Sequence, residues 1–332
     1  MRLIILINSL ETEVPQYTTT HVALTAVRRD HEVFYADVGA FVFDEHGRLF
    51  VRVRPCPRDM PDVQRFFETL VQVETKQIEL GPGDVLFLRN NPADDAAQRT
   101  WAQTVGMTFG SAAKRRGVLV LNDPDGLMHA MSKIYVQFLD EVIRPATLIA
   151  HDADELRAFV ENHGSAVLKP IGGSGGRGVF VLKDADEPNL NAIAESLLET
   201  GYVVAQEYLP AAAEGDTRLF LLNGRILEVD GKIAAIRRLP ADGDPRSNMS
   251  AGGKAIHADI DDVIRDIAER VRPRMIEDGM FLAGLDIAGG KVMEVNVFSP
   301  GGLGSASRLE KVDFVGAVVD AMEGKIATIS DA

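Results

Sequence analysis

Residues 166–182 read AVLKPIGGSGGRGVFVL, a Gly-rich loop with a β-branched run on each side. That context constrains the fold more than any other feature of the chain. The seven residues 172–178 include five glycines, and Lys169 stands just before them. Glycine lets backbone N–H groups turn towards an anion without interference from a Cβ, and a lysine adds a full positive charge beside them. The stretch therefore predicts an anion-holding β-hairpin, with a polyphosphate nucleotide as its ligand. Taken alone, the segment also allows a surface hairpin that holds nothing.

Two motif matches lie inside the loop. Residues 173–178 satisfy GxGxxG and residues 172–176 satisfy GxSxG. Each motif works only where a strand leads into a helix, which would aim a helix N-terminus at a pyrophosphate or expose a serine on a sharp elbow. Here Val179, Phe180, Val181 and Leu182 follow, which reads as a strand. The context argues against a dinucleotide fingerprint and against a serine hydrolase. The Walker A pattern GxxxxGK[ST] is absent from the sequence.

The 332 residues suffice for two or three domains. A formal charge of −14 disfavours nucleic acid and anionic membrane as partners. Any anion site must then be a local concentration of Arg, Lys and backbone donors. Cys56 is the only cysteine, which excludes an intrachain disulfide and a thiolate metal cluster and fits a reducing cytoplasm. The N-terminal MRLIILINSL reads as a first buried strand, not a targeting segment, and no apolar stretch reaches membrane-spanning length.

Along the chain, apolar runs at 3–7, 32–35, 84–89 and 118–121 alternate with helical patterns, as in a parallel α/β sheet. Residues 41–53 read as a hairpin around Glu45-His46-Gly47. Arg89-Asn90-Asn91-Pro92 falls at the carboxyl edge of that sheet, where such folds bind ligands; an ordinary turn is the competing reading. The turn-rich residues 122–126 mark a boundary. A helix over 127–140 carrying Lys133 is predicted next. Asp152 opens another helix that Gly164 ends. After the Gly-rich hairpin come a helix over 189–199, an extended VVAQEYLP (203–210) and a β meander over 216–238. A helix over about 260–277 and a final hairpin, 281–287 and 291–297 about Gly289-Gly290, complete the pattern.

That final hairpin carries the second chemical signal. Glu294 and Asn296 lie two apart on one strand and so share a face, with Asp286 across the turn. Two carboxylates and an amide oxygen are hard ligands suited to Mg²⁺ shared with nucleotide phosphates. A solvated, exposed hairpin is the alternative, disfavoured by the apolar flanks Leu285, Ile287, Met293 and Val295. The third signal is basic: Arg218, Arg237, Arg238 and Arg246, with Asn248, concentrate on the meander and the loop after it. Arginine forks hold carboxylates and phosphates bidentately. The seven histidines show no zinc spacing.

Together these residues resemble the ATP-grasp superfamily and, within it, the bacterial glutathione synthetase family. The resemblance runs over nearly the whole chain and is most specific at LKPIGGSGGRG, AQEYLP, GDTRLFLLNG, RSNMSAGG and GLDI followed by MEVN. It implies a Rossmann-like N-terminal domain (1–121), then a two-lobed ATP-grasp fold: a central lobe with the Gly-rich lid (122–203) and a C-terminal lobe with metal and substrate sites (204–332). By this match Lys133 and Lys169 hold ATP phosphates under a lid that includes Gly172, Gly173, Ser174, Gly175 and Gly176. Gln206, Glu207, Tyr208 and Leu209 line adenine, with Asp216 near the ribose. Arg218 steadies the transferred phosphoryl. Asp286, Glu294 and Asn296 bind two Mg²⁺ ions, with Mn²⁺ as the alternative metal. Arg89, Arg238, Arg246, Asn248, Ser299, Gly301 and Gly302 face the substrates.

The implied chemistry is a carboxylate–amine ligation with ATP as co-substrate, passing through an acyl-phosphate. The resemblance further suggests small amino-acid or peptide substrates, a homo-oligomer and a cytoplasmic location. The chain departs from the family at Val297-Phe298-Ser299-Pro300-Gly301-Gly302-Leu303-Gly304, where a Thr-Ser-Pro stretch and further polar residues are usual. Three readings stand: ligation of glycine to γ-glutamylcysteine, ligation of another acid and amine, and a non-catalytic nucleotide-binding protein.

Overall fold

The computed structural model describes residues 1–95, 98–173, 176–184, 186–240 and 253–330. Its strands form three main sheets. In the first, β1 (Arg2–Ile7) lies between β2 (Glu32–Asp37) and β6 (Asp84–Leu88), parallel to both, and β7 (Leu119–Leu121) continues beside β6. These strands are apolar on both faces because helices cover both sides, as a parallel sheet requires. On the other edge β4 (Leu49–Pro55) runs antiparallel to β2, flanked by β3 (Phe41–Phe43) and β5 (Lys76–Glu79). The chain leaves β1 first towards β2 and only later returns to β6 on its other side. That reversal opens a crevice at the carboxyl ends of β1 and β6, where open α/β sheets bind ligands.

The second sheet is antiparallel, in the order β10-β9-β11-β8: β8 (Thr147–Ala150), β9 (Ala166–Pro170), β10 (Phe180–Leu182) and β11 (Val203–Glu207). The strands around the Gly-rich loop, β9 and β10, pair antiparallel, as the hairpin expectation requires. Strand β11 spans the expected 203/204 division and pairs with β8 and β9. The third sheet is built on β12 (Asp216–Leu222), which is flanked by short β13 (Arg225–Ile226). A separate two-stranded pair follows, β14 (Glu228–Val229) with β15 (Lys232–Ile233). Strands β16 (Ala235–Leu239), β17 (Lys254–Ile256), β18 (Leu282–Ala288) and β19 (Lys291–Asn296) complete it, in the order β17-β16-β12-β18-β19.

The cores decide which parts move together. One apolar cluster runs from Ile4 and Leu88 of the first sheet to Leu219 and Ile287 of the third. Another joins Leu3 and Phe87 to Phe281 and Phe314, and the rings of Phe87 and Phe281 meet edge to face at 6.0 Å. Asn122 ties the two units further: its amide donates to Leu282 O (3.0 Å) and Val297 O (2.6 Å) and accepts from Leu282 N (2.8 Å). The second sheet instead packs on Leu156, Val160, Leu168, Leu182, Leu197 and Val203 in a cluster of its own. The first and third sheets thus form one base, and the central lobe is a separately packed unit set over it.

Two expectations change. The predicted helix over 127–140 is broken: a helix spans Pro124–His129, Ser132 is extended, and a 3-10 turn spans Lys133–Phe138. The cause is tertiary, because the backbone N–H of Lys133 donates to Ile171 O (3.0 Å) at the Gly-rich loop and so draws the chain out of helical register. The second change is an addition: helices Leu303–Glu310 and Phe314–Ser330 close the base. Val315, Val318, Val319 and Met322 recur at helical spacing and are buried, a periodicity present in the sequence. Among the described residues no helix is long and apolar enough to cross a membrane.

Candidate active site

The central lobe and the base face each other across a cleft holding two cavities. One, about 190 Å³, is lined by Val167, Lys169, Gln206, Leu209, Asp216 and Glu294, among others. The other, about 110 Å³, is lined by Asn91, Lys133, Glu294, Asn296 and Ser299. Lys133, Gly173, Met293 and Glu294 line both. The cavities therefore meet at a lysine and a carboxylate.

Strand geometry explains the cluster at that junction. Lys169 lies next to the end of β9, and its Nζ donates to Gln206 Oε1 on neighbouring β11 at 3.0 Å. Lys133 reaches over from the 3-10 turn, donating to Gly172 O (3.2 Å) and Gly173 O (2.9 Å) of the loop. Neither lysine has an ion-pair partner among the described residues. Burial pulls the Lys169 ammonium down to about 8, partly offset by the charge of Glu294 and reinforced by that of Lys133. Lys133 is lowered for the same leading reason, again against Glu294. The carboxylate of Glu294 has no hydrogen-bond partner among the described residues, so it is free to take a ligand. Two enclosed, unpaired ammonium groups beside a glycine loop need an anion.

The arginines are spent differently. In the register of β12 and β18, Arg218 stands opposite Asp286, and in that of β18 and β19, Asp286 stands opposite Glu294. Arg218 donates from Nε and Nη2 to the two oxygens of Asp286, each at 2.8 Å. Arg238, 4 % exposed, pairs with Asp216 (2.6 Å) and Asp286 (2.8 Å). Burial would raise the Asp286 carboxyl, but the two guanidinium groups together outweigh it and hold it down to about 2. Asn296 Nδ2 also donates to Asp286, at 3.1 Å, which leaves the amide oxygen of Asn296 available.

The sequence and the fold both match known proteins. Residues 1–128 match the N-terminal domain model of prokaryotic glutathione synthetase, and residues 132–311 match its ATP-grasp domain model. The chain belongs to the prokaryotic glutathione synthetase family. Relatives in this family include the glutathione synthetase of Gloeobacter violaceus, 33 % identical over 96 % of each chain. That of Salmonella typhi is 30 % identical over 93 % of this chain and 94 % of its own. The fold is likewise that of ATP-grasp ligases. D-cycloserine synthetase DcsG superposes with a TM-score of 0.65 at 16 % identity, covering 98 % of this chain and 99 % of its own. The ATP-grasp ligase PsnB, complexed with a minimal precursor, does so at 0.62 and 18 %, with the same coverage. As in its glutathione synthetase relatives, the chemistry is that of an ATP-dependent ligase.

The remaining residues named from the sequence divide into three groups. Glu207, Tyr208 and Leu209 line the larger cavity and Ser299 the smaller, together with the lysines and Glu294. Arg89, Gly301 and Gly302 do not line either. Arg89 is 2 % exposed behind the cleft, donating to Thr19 Oγ1 (3.3 Å) and Pro300 O (3.2 Å). Gly301 accepts from Arg218 Nη1 at 3.4 Å. Gly302 has φ +103°, and a Cβ there would stand 2.7 Å from Ile236 Cδ1. Ser174, Gly175, Arg246 and Asn248 lie outside the described residues.

Glu13 is a neighbour of Arg89 that the sequence reading missed. Its Oε2 is buried without a hydrogen-bond partner among the described residues. Burial pushes its carboxyl up to about 7, opposed by the charge of Arg89. Arg89 is itself lowered to about 10 by burial, against Glu13 and Tyr35. An acid in a polar loop leaves no periodic trace, so only the fold reveals this pair.

Magnesium fits the donor set, with Glu294 as anchor. Among the described residues no cluster of three His, Cys, Asp or Glu side chains can hold a metal alone. A hard ion that takes one or two carboxylates and completes its shell with nucleotide oxygens and water suits such a site.

Proposed function

We propose that this glutathione synthetase family member joins γ-glutamylcysteine to glycine with hydrolysis of ATP to ADP and phosphate. The observation that carries the reading is the meeting of two cavities at Lys133 and Glu294. A nucleotide in the larger would direct its terminal phosphate at an acid in the smaller. Lys133 and Lys169 would neutralise the phosphates under the Gly172–Gly176 lid, with Gln206 to Leu209 along the base and Asp216 towards the ribose.

The substrate carboxylate attacks the γ-phosphate, ADP leaves, and the amine then displaces phosphate from the acyl-phosphate to form the amide. Arg218 stabilises the oxygens of the transferred group from a fixed position, since Asp286 already orients its guanidinium. The separately packed central lobe closes over the cleft and excludes water from the mixed anhydride. Magnesium, or manganese, held by Glu294, Asn296 and Asp286 supplies charge neutralisation at the phosphate oxygens. Two ions, a homo-oligomer and a cytoplasmic location belong to the same reading, as does a domain limit at 121; the expected limit at 203 moves beyond Glu207, since β11 pairs within the central-lobe sheet.

A second reading, with another amine as acceptor, rests on the Val297–Gly304 segment. There the N–H of Leu303 already donates to Thr18 Oγ1 (3.3 Å), so it is not open to an acceptor carboxylate. ADP release measured with γ-glutamylcysteine plus glycine, against a panel of other acids and amines, separates the readings. Turnover only with another pair would reject glutathione and keep the ligase.

A further inference from the structure

The N-terminal unit holds a third cavity, about 310 Å³, lined by Tyr35, Asp37, Arg52, Arg54, Arg99 and Trp101 among others. It shares no lining residue with the two cavities of the cleft. It opens where β2 ends, at the carboxyl side of the parallel strands.

Three guanidinium groups around one cavity are notable in a chain of net charge −14. Arg99 is already neutralised, with Nε and Nη2 on Asp95 Oδ1 at 2.9 and 2.5 Å. The other two have no ion-pair partner among the described residues. Arg52 and Arg54 lie two apart on β4 and therefore share a face. The side chain of Arg52 has no hydrogen-bond or ion-pair partner among the described residues. Among the described residues Arg54 donates only to carbonyl oxygens, those of Val71 and Val73. Opposite them, Asp37 accepts the N–H of Leu10 through Oδ1 at 3.1 Å, and its other oxygen has no hydrogen-bond partner among the described residues. Burial raises its carboxyl despite that hydrogen bond and the charges of Arg54 and Arg99. Trp101 is the only tryptophan of the chain and is 58 % exposed. Its ring lies against Gly39, 3.5 Å from where a Cβ would stand.

The groups without a close ion-pair partner among the described residues are thus Arg52, Arg54 and Asp37, two cations and one anion. We infer that this cavity is a second ligand site, for a small molecule with two carboxylates and one ammonium group: an acidic α-amino acid or a γ-glutamyl peptide. The carboxylates engage Arg52 and Arg54, the ammonium engages Asp37, and Trp101 covers the aliphatic part. The assignment rests on these charges and not on the ligation reading, since none of these residues belongs to the cleft.

Trp101 makes the site directly readable in the full-length protein. Titration with L-glutamate, with γ-glutamylcysteine and with succinate, followed by Trp101 fluorescence and by calorimetry, tests it. Saturable binding of glutamate or of the peptide is expected, and which of the two saturates identifies the source. Succinate, lacking the ammonium, is expected to bind at least tenfold more weakly. Arg52→Ala should weaken binding at least tenfold while leaving ATP binding unchanged; Arg52 is exposed, so the variant should fold. Absence of saturable binding by both methods overturns the proposal. So does binding that Arg52→Ala does not change, which would place the ligand in the cleft instead.

Discussion

Arg218 grips both oxygens of Asp286, each at 2.8 Å, and Arg238 holds the same carboxylate at 2.8 Å. A residue expected to serve metal is therefore also the anchor of two arginines, one of them buried. Arg218→Ala should lower stability by about 1–3 kcal/mol, because it removes a bidentate charged hydrogen bond from Asp286 while Arg238 keeps that carboxylate paired. It should also lower kcat by about 10²- to 10³-fold, the loss typical of a transition-state donor. Arg218→Lys should recover part of the melting temperature but little kcat, since lysine cannot form the bidentate fork. Asp286 adds an acid limb. Its carboxyl lies near 2, below the unfolded value, so its stabilisation is complete above about pH 4 and is lost as pH falls towards 2. Thermal unfolding followed by circular dichroism over that range checks the sign.

Lys169 predicts a pH dependence of nucleotide affinity. Its ammonium deprotonates near 8 in the free protein because of burial, and a polyphosphate requires the charged form. The KM for ATP should be flat with respect to this group below pH 8 and rise above it. Lys169→Arg should remove the rise, because arginine stays protonated throughout. An unchanged limb in that variant would assign the titration elsewhere.

Glu13 predicts the opposite linkage in stability. Its carboxyl titrates near 7, above the unfolded value, so the folded state binds the extra proton between about pH 4 and 7. The protein should lose about 2–3 kcal/mol of stability from this group as pH rises through that window. Glu13→Gln, which cannot ionise, should flatten the decline and melt higher than the unsubstituted protein at pH 8.

Some of this arrangement was legible in the sequence for definite reasons. The runs 3–7 and 84–89 reveal parallel strands because a sheet covered on both faces leaves no polar side to its strands. The Gly-rich hairpin was recognisable from the strand that follows it, and Glu294 with Asn296 from two-residue alternation. The pairing of Asp286 was not, because it depends on the register of three strands that only the folded sheet sets. Nor was the extended Ser132: a hydrogen bond from the Lys133 N–H to Ile171 O, 38 positions along the chain, overrides local propensity.

The separate core of the central lobe predicts separate opening. Amides of β9 and β11 should exchange with solvent through a sub-global opening of lower free energy than those of β12 and β18, which belong to the base. Mg·ATP, bridging both parts, should slow the central-lobe amides selectively. Leu168→Ala, at a fully buried position, should lower the central-lobe opening energy by about 2–5 kcal/mol while β12 and β18 keep their protection. Hydrogen exchange with mass spectrometry reads all three effects, and equal protection of both sheets would reject an independent lid.

Glu294 lines both cavities, and its carboxylate has no hydrogen-bond partner among the described residues. Removing it should therefore cost chemistry before it costs fold. Glu294→Ala should abolish Mg·ATP turnover, and its melting temperature should stay within the few degrees expected of a half-exposed position. The same change withdraws the negative charge that supports both lysines, so the Lys169 ammonium should titrate below its present value near 8. Glu294→Gln keeps the shape but not the charge, and should show the same lysine shift with equally little turnover. Turnover with magnesium in either variant close to that of the unsubstituted protein would remove Glu294 from the metal site. A lysine titration that stays near 8 would show that the carboxylate does not act on the phosphate-holding lysines.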